Sequence, residues 1–257
     1  MLNRVMVTLD NEAKVEHLAR YGKMIIENYP NVEIVGVYIQ PAIEEYSYGA
    51  GVDYDIRGGK IDHELKIKKA METEERIKEK FLSLFQNYKF YSKNGDMSEV
   101  FLNELKLFDL AIVSKTDKIN HNLKEILKKH HKPIILVPDL DRYSLDKILI
   151  ADNQGLEVNK SVFDFINAFK KVNEFKAITV NISQEAVKDL TFYLEKIEKK
   201  IEYIFEEGPV DEIILDCAKE FDMLVLGNLK HLFLVEKLIG EAGVKIIEKI
   251  KKPVFIA

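Results

Sequence analysis

The feature that most constrains this chain is that it carries one ordered set of motifs twice. Gly95-Asp96-Met97-Ser98-Glu99-Val100 and Gly208-Pro209-Val210-Asp211-Glu212-Ile213 each open an apolar-striped segment. Each leads at equal distance to a second motif, Phe108-Asp109-Leu110-Ala111-Ile112-Val113 or Phe221-Asp222-Met223-Leu224-Val225-Leu226. Gly95 and Gly208, Asp109 and Asp222, and Ser114 and Gly227 are all 113 positions apart. Both halves close on a Lys-Pro step, Lys132-Pro133 before Ile134–Val137 and Lys252-Pro253 before Val254–Ile256. The openings also match, Val5–Asp10 against Ile148–Asp152. A fixed internal period of this kind is the mark of a duplication. It divides the 257 residues into two domains of ordinary size, 1–140 and 145–257, meeting at the polar stretch Pro138–Asp146. So short a connection predicts that the halves pack together.

Within each half, two hydrophobic periods alternate. Ile34–Ile39 and Leu110–Val113 are apolar runs without polar alternation, as expected of strands covered on both faces. Val210, Ile213, Ile214, Cys217, Ala218 and Phe221 instead form a helical stripe, and Met97, Val100, Phe101, Leu105 and Phe108 repeat it. Alternating strands and helices on short loops predict doubly wound, open parallel sheets with helices on both faces, one per half.

The charge balance works against a nucleic-acid partner. Lys and Arg number 38 against 43 Asp and Glu, a net charge of −5, whereas nucleic-acid binding rests on displacing counterions with a clustered basic surface. No apolar run approaches the ~20 residues needed to cross a bilayer, and no export segment is expected ahead of Val5, so the expected location is the cytoplasm. The single cysteine, Cys217, excludes an intrachain disulfide and reads as a buried, inert thiol.

Taken together, these motifs resemble the universal stress protein family: a first strand ending in Asp (Asp10, Asp152), a Gly-led helix running into an Asp-led strand, and a closing Lys-Pro strand. The resemblance covers nearly the whole chain, once per half. It implies a five-stranded parallel sheet in each half and pairing of the two final strands, an internal version of the family's homodimer. Ile134–Val137 and Val254–Ile256 would otherwise be exposed apolar sheet edges.

Relatives that bind ATP share a loop after the fourth strand: Gly, two residues, Gly, nine residues, Gly, then Ser or Thr. Glycines there let backbone amides approach phosphate oxygens, and a helix start adds positive potential. In the second half the spacing survives, with Gly227 and Gly240 at the outer positions, but Lys230 replaces the middle glycine and Glu241 the hydroxyl residue. A carboxylate facing phosphate is repulsive. The resemblance thus marks Asp152, Gly227, Lys230 and Gly240 as the positions for ATP with magnesium, in the C-terminal domain only. The competing reading is that the glycines merely end a strand and permit a turn, and that Asp10 and Asp152 cap helices. In the first half Ser114 to Pro133 spans 19 positions where Gly227 to Pro253 spans 26, with no glycine between, so no phosphate loop is expected.

The remaining candidates are weaker. Pro41 to about Asp62 is an insertion bearing Tyr46, Tyr48 and Tyr54 with Gly49, Gly51, Gly58 and Gly59, ahead of a charged helix expected at Asp62–Phe85. The six histidines show no zinc-like spacing, and no Gly-x-Ser-x-Gly elbow occurs. The expected function is a non-catalytic stress-response module acting through protein partners or self-association, the alternative being a nucleotide sensor with slow ATP hydrolysis.

Overall fold

A computed structural model describes residues 2–40, 56–84, 88–187, 189–227 and 240–257. The first half runs β1 (Arg4–Leu9), α1 (Val15–Asn28), β2 (Glu33–Gln40), α2 (Ile56–Leu84), β3 (Lys89–Asn94), α3 (Met97–Glu104), β4 (Leu110–Ser114), α4 (His121–Lys129) and β5 (Ile134–Val137). The second repeats the order: β6 (Ile148–Ala151), α5 (Leu156–Ala168), β7 (Glu174–Val180), α6 (Asp189–Lys196), β8 (Lys200–Glu206), α7 (Val210–Cys217), β9 (Met223–Leu226), α8 (Gly240–Lys249) and β10 (Val254–Ile256).

All ten strands join one sheet in the order β3-β2-β1-β4-β5-β10-β9-β6-β7-β8. Every neighbouring pair is parallel except β5 with β10, which run antiparallel with Leu136 opposite Val254 and Ile134 opposite Ile256. Two doubly wound five-stranded sheets thus meet through their final strands as a pseudo-symmetric internal dimer. The pairing covers two otherwise open edges of wholly apolar strands.

Two cores, one on each sheet face, run through both halves. One is filled by Leu18 and Ile25 of α1, Ile77 and Phe81 of α2, Val162 and Phe165 of α5, and Leu190 and Leu194 of α6. The other takes Phe101 of α3, Ile126 and Leu127 of α4, Ile214 of α7, and Ile246 and Ile247 of α8. At the seam, Phe255 of β10 packs edge-on against Phe165 and Phe169, with centroids 5.2 and 6.2 Å away.

The repeated motifs have repeated structural duties. Asp109 Oδ2 accepts hydrogen bonds from the backbone N–H groups of Asn3 and Arg4, at 2.8 and 3.0 Å. Asp222 Oδ2 does the same for Asp146 and Lys147, at 3.1 and 2.9 Å. The Phe-Asp motif therefore ties the start of each half's first strand to its fourth. Gly95 and Gly208 sit at φ of 142° and 137°, a region that disfavours any side chain, where the chain turns into α3 and α7.

Three expectations shift. Helix α2 starts at Ile56, six residues ahead of the expected Asp62, with Gly58 and Gly59 inside it. Once a helix is nucleated, each further residue adds a hydrogen bond, and glycine's cost of about 1 kcal/mol does not stop propagation. The preceding part of the tyrosine-bearing insertion, 41–55, lies outside the described residues. The α7 stripe is less buried than its period suggests: Val210 is 37% exposed. Cys217 is likewise half-buried rather than buried, though burial still raises its thiol pKa, the nearby Asp216 and Glu206 adding to the effect.

Candidate functional site

Ligands in open parallel α/β folds bind at the carboxyl edge of the sheet. In the second half that edge is formed by the ends of β6 and β9 and the start of α5. Asp152, just past β6, is 3% exposed, and both of its carboxyl oxygens accept hydrogen bonds. Oδ1 accepts from the Gln154 backbone N–H at 2.8 Å, and Oδ2 accepts from Gln154 Nε2 at 2.5 Å and the Tyr203 hydroxyl at 2.8 Å. Gln154 takes a left-handed φ of 59° to do so, and its two hydrogen bonds to Asp152 offset that strain. Burial and the adjacent Asp152 push the Tyr203 phenol far up, so it stays a donor. Asp152 is thus the hub of an internal network, and it does not cap α5, whose N-cap residue is Gly155.

Strand register also separates the two aspartates. Val7 of β1 pairs with Ile112, and Ile150 of β6 with Val225, the residue 113 positions on. Asp152 therefore occupies the place of Leu9, and Asn153 that of Asp10. Asp10 is exposed and ion-paired to Lys14 at 2.8 Å.

Gly227 ends β9 against the first turn of α5. A Cβ there would lie 2.9 Å from the Val158 backbone nitrogen and 3.2 Å from the Glu157 carbonyl carbon, so close strand–helix approach is itself a reason for glycine. Gly240 is the first residue of α8. Lys230 and the rest of 228–239 lie outside the described residues. Asp152 and Gly227 share one corner of the fold, and among the described residues Asp152 is held by Gln154 and Tyr203 and Gly227 packs on α5.

The first half closes its counterpart corner differently. Ser114, at the position of Gly227, is hydrogen-bonded to His17 Nε2 of α1 at 3.2 Å, both side chains being buried. Burial lowers the His17 pKa, Arg20 and Lys14 add to this, and Asp139 and Asp10 oppose it. The next residue, Lys115, reaches across to the Glu248 carbonyl at the end of α8. Sequence reasoning missed the His17–Ser114 link and the Tyr203–Asp152 bond. The 113-residue offset identified Ser114 as the residue facing Gly227's position, but nothing local pointed to His17. Among the described residues no group of three His, Cys, Asp or Glu is placed to hold a metal ion, and no helix is long and apolar enough to cross a membrane. Cavities of about 350 and 230 Å³ open at the opposite, amino edge of the second half.

No family model matches the sequence, and no curated protein matches it. Solved structures do. A universal stress protein from Archaeoglobus fulgidus DSM 4304 superposes with a TM-score of 0.67 at 12% identity, over 99% of this chain and 96% of that one. The fold is that of a universal stress protein. A functionally unknown protein from Pseudomonas aeruginosa PAO1 follows at a TM-score of 0.60 and 14% identity, over 99% of this chain and 92% of its own. At such identities the likeness speaks for the fold alone. It extends over both halves of this chain.

Proposed function

We propose that this chain is a tandem universal stress protein that works as a non-catalytic, cytoplasmic stress-response module through protein partners or self-association, with neither nucleic acid nor membrane as partner. The observation that carries the reading is the internal hydrogen bonding of Asp152 at the carboxyl corner of the second half. Asp152, the residue resemblance marks for the nucleoside end of a nucleotide, has both oxygens committed to Gln154 and Tyr203. Freeing it would strip a buried carboxyl of hydrogen bonds worth about 1.5–3 kcal/mol each. Gly227's missing side chain is accounted for by the α5 backbone, and Ser114 and His17 occupy the first-half corner.

A second reading is a sensor holding ATP with magnesium in the C-terminal domain. It is favoured by Gly240 opening α8, since a helix start suits phosphate, with Gly227 and Lys230 completing the phosphate side. The described residues fit such a ligand poorly at Asp152.

Isothermal titration of nucleotide-stripped protein with ATP and magnesium separates the two. No binding by the native chain, with binding gained in a Glu241→Ser variant, is the outcome expected of a degenerate site. Micromolar binding at about one site per chain would overturn the non-nucleotide reading and make Lys230 the next residue to replace.

A further inference from the structure

The duplication supplies a comparison inside one molecule: a groove that one half fills and the other leaves open. At the amino edge of the first half, Arg4 lies over the Phe108 ring with its guanidinium carbon 4.8 Å from the centroid. Its Nε donates to Glu33 Oε2 at 2.5 Å and its Nη1 to the Leu107 carbonyl at 2.9 Å. The other Glu33 oxygen, Oε1, is held by Lys89. The guanidinium thus has an aromatic face, one carboxylate oxygen and a carbonyl as partners.

In the second half the same receptor groups stand without the arginine. Lys147 takes the place of Arg4, as shown by their matching bonds to Asp222 and Asp109. Phe221 and Glu220 lie 113 positions beyond Phe108 and Leu107. Register places Glu174 where Glu33 stands, one residue before the partner of Val5 or Ile148. Glu174 Oε1 accepts from Lys200 at 3.1 Å, as Glu33 Oε1 does from Lys89, and among the described residues nothing donates to Glu174 Oε2. Lys147 is exposed and leaves the ring less covered: Phe221 is 8% exposed against 2% for Phe108. The result is a groove of about 350 Å³ floored by Ile148, Phe175 and Phe221.

We propose that this groove is a guanidinium-binding site, receiving the side chain of an arginine from outside the chain in the pose that Arg4 adopts in the first half. A guanidinium can lay its flat face on Phe221 while donating from two nitrogens, to Glu174 Oε2 and to the backbone carbonyl of Glu220, as Arg4 does to Glu33 and Leu107; an ammonium has no flat face to do so. Two of the groove's three lysines are already engaged: Lys200 holds Glu174 Oε1, and Lys176 pairs with Glu202 at 3.4 Å. The carboxylates Asp146, Glu174, Glu202 and Glu220 outnumber the lysines Lys147, Lys176 and Lys200, so a cation is welcome in the groove. The site lies at the opposite sheet edge from Asp152 and Gly227, and it holds however that corner is read.

The test is a titration of the full-length chain, followed by ¹H–¹⁵N correlation spectra, with acetyl-Gly-Arg-Gly-amide, its lysine counterpart and free L-arginine. The arginine peptide is expected to shift the amides of Lys147, Glu174 and Phe221, with the lysine peptide at least about ten-fold weaker. Lys147→Arg, which supplies an internal plug, and Glu174→Gln, an exposed change that leaves the core alone, should each weaken binding by about ten-fold. Free arginine binding as well as the peptide would identify a small guanidinium ligand. Preference for the peptide would identify an arginine on a partner protein. Equal binding of arginine and lysine peptides, no binding of either, or full binding retained in Lys147→Arg, would overturn the proposal.

Discussion

Replacing Tyr203 by Phe tests the account of the carboxyl corner most directly. The substitution keeps the ring, which stacks on Phe205 at 5.9 Å, and deletes only the hydroxyl that donates to Asp152 Oδ2 at 2.8 Å. Asp152 is 3% exposed, so the vacated lone pair has little access to water. A hydrogen bond to a charged group contributes about 1.5–3 kcal/mol, and leaving a buried acceptor unsatisfied costs a similar amount. The lower end of that range applies because Tyr203 is itself only half-buried. At roughly 2–4 °C per kcal/mol for a chain of this size, the thermal midpoint should fall by about 3–8 °C. Scanning calorimetry of Tyr203→Phe, Asp152→Ala and the double variant is the assay. The two changes should be non-additive by about 1 kcal/mol or more, because each removes the same bond. A Tyr203→Phe protein melting within about 1 °C of the native chain, with additive effects, would refute the claim that Asp152 is held by this network.

Gly227→Ala places a Cβ against the α5 backbone, which cannot rotate away as a side chain can, and a loss of about 1–3 kcal/mol in chemical denaturation is expected. His17 predicts a pH effect of definite sign: its folded pKa lies below the ordinary 6.5, so the unfolded chain takes up the proton first. The stability it confers is full above pH 6.5 and declines as pH falls from there towards the folded pKa; a His17→Gln variant should show a flatter denaturation-midpoint curve between pH 7 and pH 5. The halves expressed separately, cut within 138–147, should dimerise or aggregate in light-scattering measurements, because each exposes β5 or β10 along its whole pairing edge. Two stable monomers would contradict the internal-dimer packing.

The pairing of the Lys-Pro strands came from the family resemblance, with the need to cover two apolar edges in its favour, while the sequence by itself determined the duplication and the alternation of strand and helix in each half. These are legible because they are carried by local periodicity and by motifs a constant distance apart, such as Asp109 and Asp222, which have the same backbone duty in both halves. What the side chains at the carboxyl corner touch was decided by tertiary structure alone. Tyr203 meets Asp152 across 51 residues and Ser114 meets His17 across 97. Those meetings depend on strand order and register: the register is the same in both halves, and because the aspartate stands one residue earlier in the second, Asp152 lies inward at Leu9's place while Asp10 is left in solvent. The same dependence explains the amino-edge groove. The exchange of arginine for lysine between positions 4 and 147 is written in the chain, but only the packing of Phe108 and Phe221 beside them shows that one half is plugged and the other open.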